Sequence, residues 1–455
     1  MQLKAVLMAM VLGLSTMVQA QQQDAKTLDQ IFDETMNNGE AYENLRVLCK
    51  EIGHRLAGSP QADMAVRWSY DLLKSYGFDT VWLHPVMVPH WVRGAKEYGE
   101  IMGVSQVNML ALGGSIATPV DGIVEQVVEV RDFDHLKALG SAGVKGKIVF
   151  FNYPFPQNVV NSFDGYGEAG PYRWHGASDA SALGAKAVLI RSVGSAHDDF
   201  AHTGSTSFAS GVPKVPCAAL SAIDADMLSA ALQKDPGTRF KMILNCKMLD
   251  SVQSYNVIAE LRGSTFPDEI IVVGGHLDSW DVGEGAHDDG AGCMQSVEVL
   301  RTLKAAGIQP KRTIRCILYM NEENGNMGGK TYGKYAKQNK QEKHIAALES
   351  DAGGFSPRGF SIDSALLSSG HLDAFEKMME VYGIYHFKVG HGGTDIGPLE
   401  AAGSHLIGLV PDSQRYMDLH HTENDVFEQV HIRELHMGAA VMAMMCWYLS
   451  EYGVH

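Results

Sequence analysis

The fold expected of this chain is α/β: a doubly wound, mixed but mostly parallel sheet with helices on both faces, interrupted by an inserted β-rich segment. Two observations lead there. Short apolar runs such as Ile270–Val273, Ile314–Met320 and Ile345–Leu348 alternate with stretches of helical spacing, the rhythm that successive βα units produce. Between about Thr118 and Leu249 this gives way to closely spaced short runs and turns, and then it resumes. With 455 residues, 45% of them hydrophobic, the chain can bury cores for two or three domains.

Taken in order, Met1–Ala20 holds one basic residue, Lys4, an apolar run from Ala5 to Val18, and Val18-Gln19-Ala20 before a cleavage point. This reads as a secretory signal peptide, too short to span a bilayer. The chain is therefore expected to be exported, to the periplasm or beyond, without a membrane anchor. Residues 21–117 form the first part of the main domain. Asp24–Gly77 reads as helical, with a helix start at Ser59-Pro60 and Ala65, Trp68, Leu72 and Leu73 at helical spacing.

Residues 118–249 form the insert, with GIVEQVVEV and KIVFFNYPF as strands, ASALGAKAVLIRS as helix then strand, and VPCAAL followed by a helix before RFKMILNCKM. Its stretch NSFDGYGEAGPYRWHG, Asn161–Gly176, reads as a Gly-rich aromatic loop able to cover a site. Residues 250–455 return to the main domain. SYNVIAELRG and EIIVVGGHLD are strands, Gly290–Ala306 is a helix with Met294, Val297, Leu300 and Leu303 on one face, and another helix begins near Gly328. A last helix runs from Ile432 to Tyr452, and its stripe of Met442, Met445 and Trp447 is core packing.

Composition narrows the function. There are 37 basic against 53 acidic residues, a net charge of -16, which excludes nucleic acid as the natural partner. The six cysteines are scattered through apolar stretches without metal-ligand spacing. Cys217 and Cys246, in neighbouring candidate strands, are the pair placed to form a disulfide in an oxidising compartment.

The chemistry lies at strand ends. His276 follows the run Ile270–Val273 and Gly274-Gly275, with Asp278 and Asp288-Asp289 close behind. Ligands of open α/β sheets bind at that carboxyl edge, and imidazole with carboxylate suits zinc-like ions. Two further strands end in the same chemistry, one at Glu322-Glu323 and one at Asp351, and His420-His421 precedes Asp425. Carboxylates gathered this way repel one another unless a cation joins them. A metal site is the expectation.

The order His, Asp-Asp-Gly-x-Gly, Glu-Glu-x-Gly, Asp, His-x-x-x-Asp resembles the co-catalytic zinc aminopeptidase family, and within it the carboxypeptidase Q type, over nearly the whole chain after the first few dozen residues. The resemblance implies two Zn2+ per chain: Asp288 bridging them, Glu323 and His421 completing one, His276 and Asp351 the other. A shared carboxylate holds two ions at the ~3.5–4 Å that lets both act on one displacement. It implies Glu322 as the base, Asp278 and Asp425 as acceptors orienting His276 and His421, a cis peptide at Asp288-Asp289, and a protease-associated insert. For Asp425 a helix cap is the alternative.

Where some relatives carry Tyr before the last ligand, this chain has His420, whose N–H can serve the oxyanion instead. The Gly-rich stretch His391–Leu399, with Thr394 and Asp395, is expected at the substrate's edge. No arginine stands out as placed to grip an acidic side chain. The reading is an exported di-zinc exopeptidase acting on dipeptides or short peptides with a free amino terminus. A glutaminyl cyclase-like acyltransferase on the same fold and a non-catalytic binding relative are the alternatives. The partners expected are short peptides and, left open, a second copy of the chain in a homodimer.

Overall fold

The computed structural model describes residues 22–454; the signal peptide expected at residues 1–20 lies outside them. The first sheet opens with β1 (Thr80–Val92). The strands of a second sheet follow: β2 (Tyr98–Ile101), β3 (Ser105–Val107), β4 (Met109–Ala111), β5 (Ile123–Val130), β6 (Ile148–Phe151), β7 (Ala187–Arg191), β8 (Cys217–Leu220) and β9 (Arg239–Ile243). The chain then returns through β10 (Lys247–Leu261), β11 (Phe266–His276), β12 (Arg312–Tyr319), β13 (Lys343–Glu349), β14 (Pro357–Ile362), β15 (His386–Val389) and β16 (His405–Pro411).

In the first sheet the order is β1-β10-β12-β11-β13-β16-β14-β15. Strands β12, β11, β13 and β16 pair parallel, and antiparallel pairs flank them. From β11 the chain goes first to one neighbour, β12, and then to the other, β13. The order reverses there, so the carboxyl end of β11 is a switch point, where a crevice opens between diverging connections. The central strands read as unbroken apolar runs because both faces are covered; every residue of β12 is buried.

Helix α1 (Pro60–Ser75) starts as expected, with the Ser59 hydroxyl accepting from the Ala62 N–H at 3.1 Å and Pro60 at the first position. The expected helical stretch 24–77 is broken between, where Gly53 and Gly58 take φ of 81° and 90°.

The second sheet has the order β3-β2-β9-β5-β6-β7-β8-β4. It begins at Tyr98, ahead of residue 118, because β2 pairs with β9 from the far end of the segment. Strands β5 to β8 pair parallel; β7 reaches β8 through residues 192–216 without a helix, while β5 to β6 and β6 to β7 are connected across helices. One of these, α2 (Ser162–Ala182), occupies the stretch read as a loop. Its glycines mark close helix–sheet approach and not a flexible turn. A Cβ on Gly165 would lie 2.6 Å from the Phe155 ring, and one on Gly176 2.9 Å from that of Phe151. Asn161 caps the helix by accepting from the Phe163 N–H at 3.2 Å.

Helices α3 (Ala291–Ala305) and α5 (Ile432–Tyr452) pack together on the first sheet, while α4 (Met327–Gln338) lies on its other face. Trp91 of β1 and Trp280 beyond β11, edge to face with centroids 6.3 Å apart, pack in one cluster with Met109, Leu220 and Phe240 of the second sheet. Beside them Arg93 reaches Asp281 at 2.6 Å and Glu97 at 3.0 Å. Cys217 and Cys246, the pair left open as a disulfide candidate, are both buried free thiols, in keeping with the reading of the cysteines as small buried apolar groups. Burial pushes the Cys217 thiol up to about 12, so it behaves as a small apolar side chain.

Candidate metal centre

His276 is the last residue of β11, at the switch point. Its Nε2 lies 3.2 Å from Asp288 Oδ1 and 3.4 Å from Asp351 Oδ1. His421 approaches from the opposite side, with Nε2 3.2 Å from both Asp288 Oδ2 and Glu323 Oε2. The two oxygens of Asp288 thus face two different imidazoles, each with one further carboxylate beyond it. Among the described residues these carboxylates form ion pairs with histidines alone. The donor set is mixed N and O, largely buried, and close enough to hold metal: ligand atoms of His276, Asp288 and Glu323 all lie within 4.8 Å of one another.

The local backbone serves this convergence. The Asp288–Asp289 peptide is cis, as the resemblance implied. His421 takes φ of 64°, in the left-handed region that non-glycine residues rarely adopt. Asp289 stays close to the site, its carboxylate within 4.8 Å of ligand atoms of His276 and Asp351, with its oxygens accepting from the N–H groups of His276 at 3.0 Å and Gly292 at 2.9 Å.

The electrostatics follow from crowding in a dry site. Burial opposes charge on His276, yet Asp351 and Asp288 hold it well above the usual imidazole range. Burial likewise opposes charge on His421, but Glu323 and Asp288 raise it to about 10. Burial, reinforced by Asp288, lifts Glu323 to about 7. These are the marks of anions that want a cation.

Glu322 and Glu323 follow β12 in a turn and diverge. Glu323 Oε1 accepts from the Trp280 N–H at 3.1 Å while Oε2 faces His421. Both glutamates line a cavity of about 850 Å³ together with Asp288, Asp351, His420 and His421, and Glu322 makes no ion pair with a histidine among the described residues. Burial, with Asp351 and Glu323, holds its carboxyl well above the usual range.

Several expected roles are corrected. The Asp278 carboxylate stands 4.0 Å from His276 Nδ1, and the acceptor at hydrogen-bond distance is the Asp278 carbonyl, at 2.9 Å. The carboxylate instead accepts from the N–H groups of Asn321 at 2.6 Å and Glu322 at 3.1 Å. The parallel register that sets His276 beside Tyr319 carries Asp278 to the glutamate turn. Asp425 does not reach His421: it accepts from the N–H groups of His287 at 2.8 Å and Asp288 at 3.2 Å, holding the segment that presents Asp288. The acceptor for His421 Nδ1 is the carbonyl of Thr203, at 3.3 Å, from the segment after β7.

Thr394 lines the cavity but Asp395 does not. Asp395 lies fully buried, with burial and Glu349 raising its carboxyl well above the usual range. His420 stacks on His421 with centroids 3.5 Å apart, faces the cavity and has a buried Nδ1 without a partner. Burial and His421 hold it well below the usual imidazole range, so it is neutral.

Three residues escaped the sequence reading. Glu349 ends β13 and lines the cavity, at about 7 through burial and Asp351; its alternation with Asp351 was the available signal. Arg173 and Tyr166 come from α2 and line the same cavity. Both lie in the stretch Asn161–Gly176 read as able to cover a site, but nothing within it singled them out, since they acquire a role only when the second sheet docks.

The comparisons agree with this geometry. The model of peptidase family M28 matches residues 256–446. Carboxypeptidase Q of Homo sapiens is 34% identical over 415 residues, 90% of this chain and 85% of that protein; that of Xenopus laevis is 35% identical over 417 residues, 90% and 86%. The crystal structure of a peptidase M28 precursor from Shewanella amazonensis superposes with a TM-score of 0.90 at 35% identity, covering 94% of this chain and 97% of the other. A zinc aminopeptidase from Bacillus subtilis, 19% identical with a TM-score of 0.66 over 90% and 95% of the two chains, shares the fold. Carried by the relatives that match over nine-tenths of its length, this chain belongs to peptidase family M28 and is a zinc metallopeptidase.

Proposed function

We propose that the protein is an exported exopeptidase with two zinc ions, hydrolysing dipeptides or short peptides that carry a free amino terminus. The observation that carries this is the pair of imidazoles on the two oxygens of Asp288, each 3.2 Å away, with Asp351 beyond His276 and Glu323 beyond His421. In this reading Asp288 is shared, His276 and Asp351 hold one ion, and His421 and Glu323 the other. Zinc bound there supplies polarisation of the scissile carbonyl and acidification of water.

Glu322, facing the cavity from the glutamate turn, takes the proton of the attacking water and returns it to the leaving amine. Asp278 fixes that turn through two backbone N–H groups. His420, whose Nε2 lies 3.8 Å from Asp288 Oδ2, would donate to the developing oxyanion. Glu349 and Asp351 line the cavity as an acidic edge that suits a substrate ammonium. The second sheet, with α2 on the cavity, is read as a protease-associated insert.

The test is hydrolysis of free, N-acetylated and C-amidated dipeptides, with zinc per chain measured on the same sample. Near two zinc and a loss of turnover on N-acetylation are expected. N-acetylated dipeptides cleaved as fast as free ones would reverse the polarity, and cyclisation of amino-terminal glutamine with one zinc would move the chain to the acyltransferase reading.

A further inference from the structure

The two imidazoles that flank Asp288 are held in different ways. His276 is held within the first sheet: its Nδ1 donates to the Asp278 carbonyl at 2.9 Å and its backbone N–H to Asp289 at 3.0 Å. His421 is held from outside that sheet. Its Nδ1 faces the Thr203 carbonyl at 3.3 Å, and the Thr203 N–H donates back to the His421 carbonyl at 3.0 Å. Ring and backbone of His421 are thus tied to one residue of the segment between β7 and β8. Arg173 Nη1 lies 3.3 Å from the same Nδ1. A guanidinium only donates, however, and Nδ1 carries the proton when Nε2 serves a metal, so the carbonyl is its acceptor.

One residue earlier, the His202 ring donates from Nδ1 to the His420 carbonyl at 2.8 Å. His202 is 2% exposed, and burial pulls its imidazole down to about 3, so the ring is neutral with a single N–H. The seat is close: a Cβ on Gly194 would lie 2.4 Å from the ring. The His202 backbone N–H donates to the Ser192 hydroxyl at 2.8 Å, which in turn donates to the Leu220 carbonyl of β8 at 2.6 Å. Thr203 is fixed from the other side, its hydroxyl donating to the Ala111 carbonyl of β4 at 2.8 Å. These bonds run from the frame of the second sheet to two consecutive carbonyls, and they hold His421 at φ of 64°, a conformation that persists only where its surroundings impose it.

We propose that His202 and Thr203 form a positioning clamp, through which the second sheet sets the zinc affinity of the His421–Glu323 half of the centre while the His276–Asp351 half stands without it. This rests on the two-zinc reading above and deepens it. His202 does not line the cavity; it acts through the backbone of His420 and His421. Fixing the far nitrogen and the backbone of a ligand strengthens its hold on metal by ~10–100-fold in comparable sites. By linkage, an ion that favours the clamped arrangement tightens the clamp in return. Docking of the second sheet and filling of one metal position therefore reinforce each other.

The test is zinc affinity, measured by chelator competition on the full chain. His202→Phe keeps a ring and loses the donor, and is expected to weaken one of two ions by ~10–100-fold while the other holds. His202→Asn, whose amide N–H can stand where the Nδ1–H does, is expected to restore most of that loss. In the Glu323→Gln protein, which retains the His276–Asp351 ion, adding His202→Phe is expected to leave that ion's affinity within ~2-fold. Hydrogen exchange on the wild type asks the same question without a substitution: zinc at 100 times its Kd is expected to slow the Thr203 amide by up to ~100-fold relative to the metal-free chain. Exchange there that zinc does not move, both ions weakened alike or neither weakened in His202→Phe, or His202→Asn as weak as His202→Phe, overturns the clamp. A wild type that binds a single zinc, still weakened by His202→Phe, ends the two-zinc reading and keeps the clamp.

Discussion

The two sheets reach one cavity by different routes. The first delivers its groups from strand ends: His276 closes β11, Asp278 and the glutamate turn sit side by side past β11 and β12, and Asp351 lies two residues past β13. The second delivers Tyr166 and Arg173 from the flank of α2, and the Thr203 carbonyl and Ser205 from a loop. A strand end is positioned by its ladder, so its residues converge whatever else the chain does. A helix flank faces the cavity only if the whole second sheet docks, and the docking rests on Trp91, Trp280, Arg93 and their partners. Chemistry is thus concentrated where the backbone is most constrained, and contacts beyond the reacting bond are placed where the chain can vary.

The sharpest way to press this contrast is at the glutamate turn. Glu322→Gln is expected to cut dipeptide turnover by ~10²–10⁴-fold with zinc retained. Glu323→Gln removes a carboxylate that faces His421, so zinc per chain and melting temperature fall together, because metal bound only to the folded state stabilises it. A Glu322→Gln protein that loses zinc, beside a Glu323→Gln protein that keeps it and merely slows, reverses the two roles.

Next in size is Asp425, which acts from the loop before α5 on the backbone of His287 and Asp288. Asp425→Asn is expected to weaken zinc binding by ~10–100-fold, as for other groups that hold a ligand in place, measured by competition with a chelator. Unchanged affinity would mean that Asp288 is held by its own loop.

A third measurement separates the halves by pH. Glu298, buried on α3 beside Arg301, is raised from 4.5 to about 7 by burial. Between those values the folded chain binds a proton that the unfolded chain has released, so this group lowers stability as pH rises from about 4.5 to 7. Glu298→Gln is expected to flatten denaturant-measured stability across that window by at most ~1.4 kcal/mol per pH unit. A slope that persists in the variant would assign it to other groups.

The smallest effect tests the seam. The Ser205 hydroxyl donates to the Glu323 carbonyl at 2.8 Å, joining the second sheet to the glutamate turn. Ser205→Ala is expected to cost about 1 kcal/mol, the net worth of one such bond, with zinc content unchanged.

What the sequence determined by itself was the class of fold and the chemistry. Apolar runs of strand length must be buried, and the polar residues ending them must then meet at one edge. The gathering of His276, Asp288-Asp289, Glu322-Glu323 and Asp351 was legible for that reason, the resemblance then singling out Asp288, Glu323 and His421 among the candidates, and α5 was legible to its last residue. What the tertiary structure decided was direction and docking. Asp278 and Asp425 hold backbone N–H groups where the resemblance implied imidazole, because strand register and loop path decide which donors their oxygens meet. The stretch Asn161–Gly176 became a helix because its glycines let it lie against Phe155 and Phe151. Local propensity carries no record of a surface that only the folded chain provides, so Arg173 could be recognised only once α2 was seated on it.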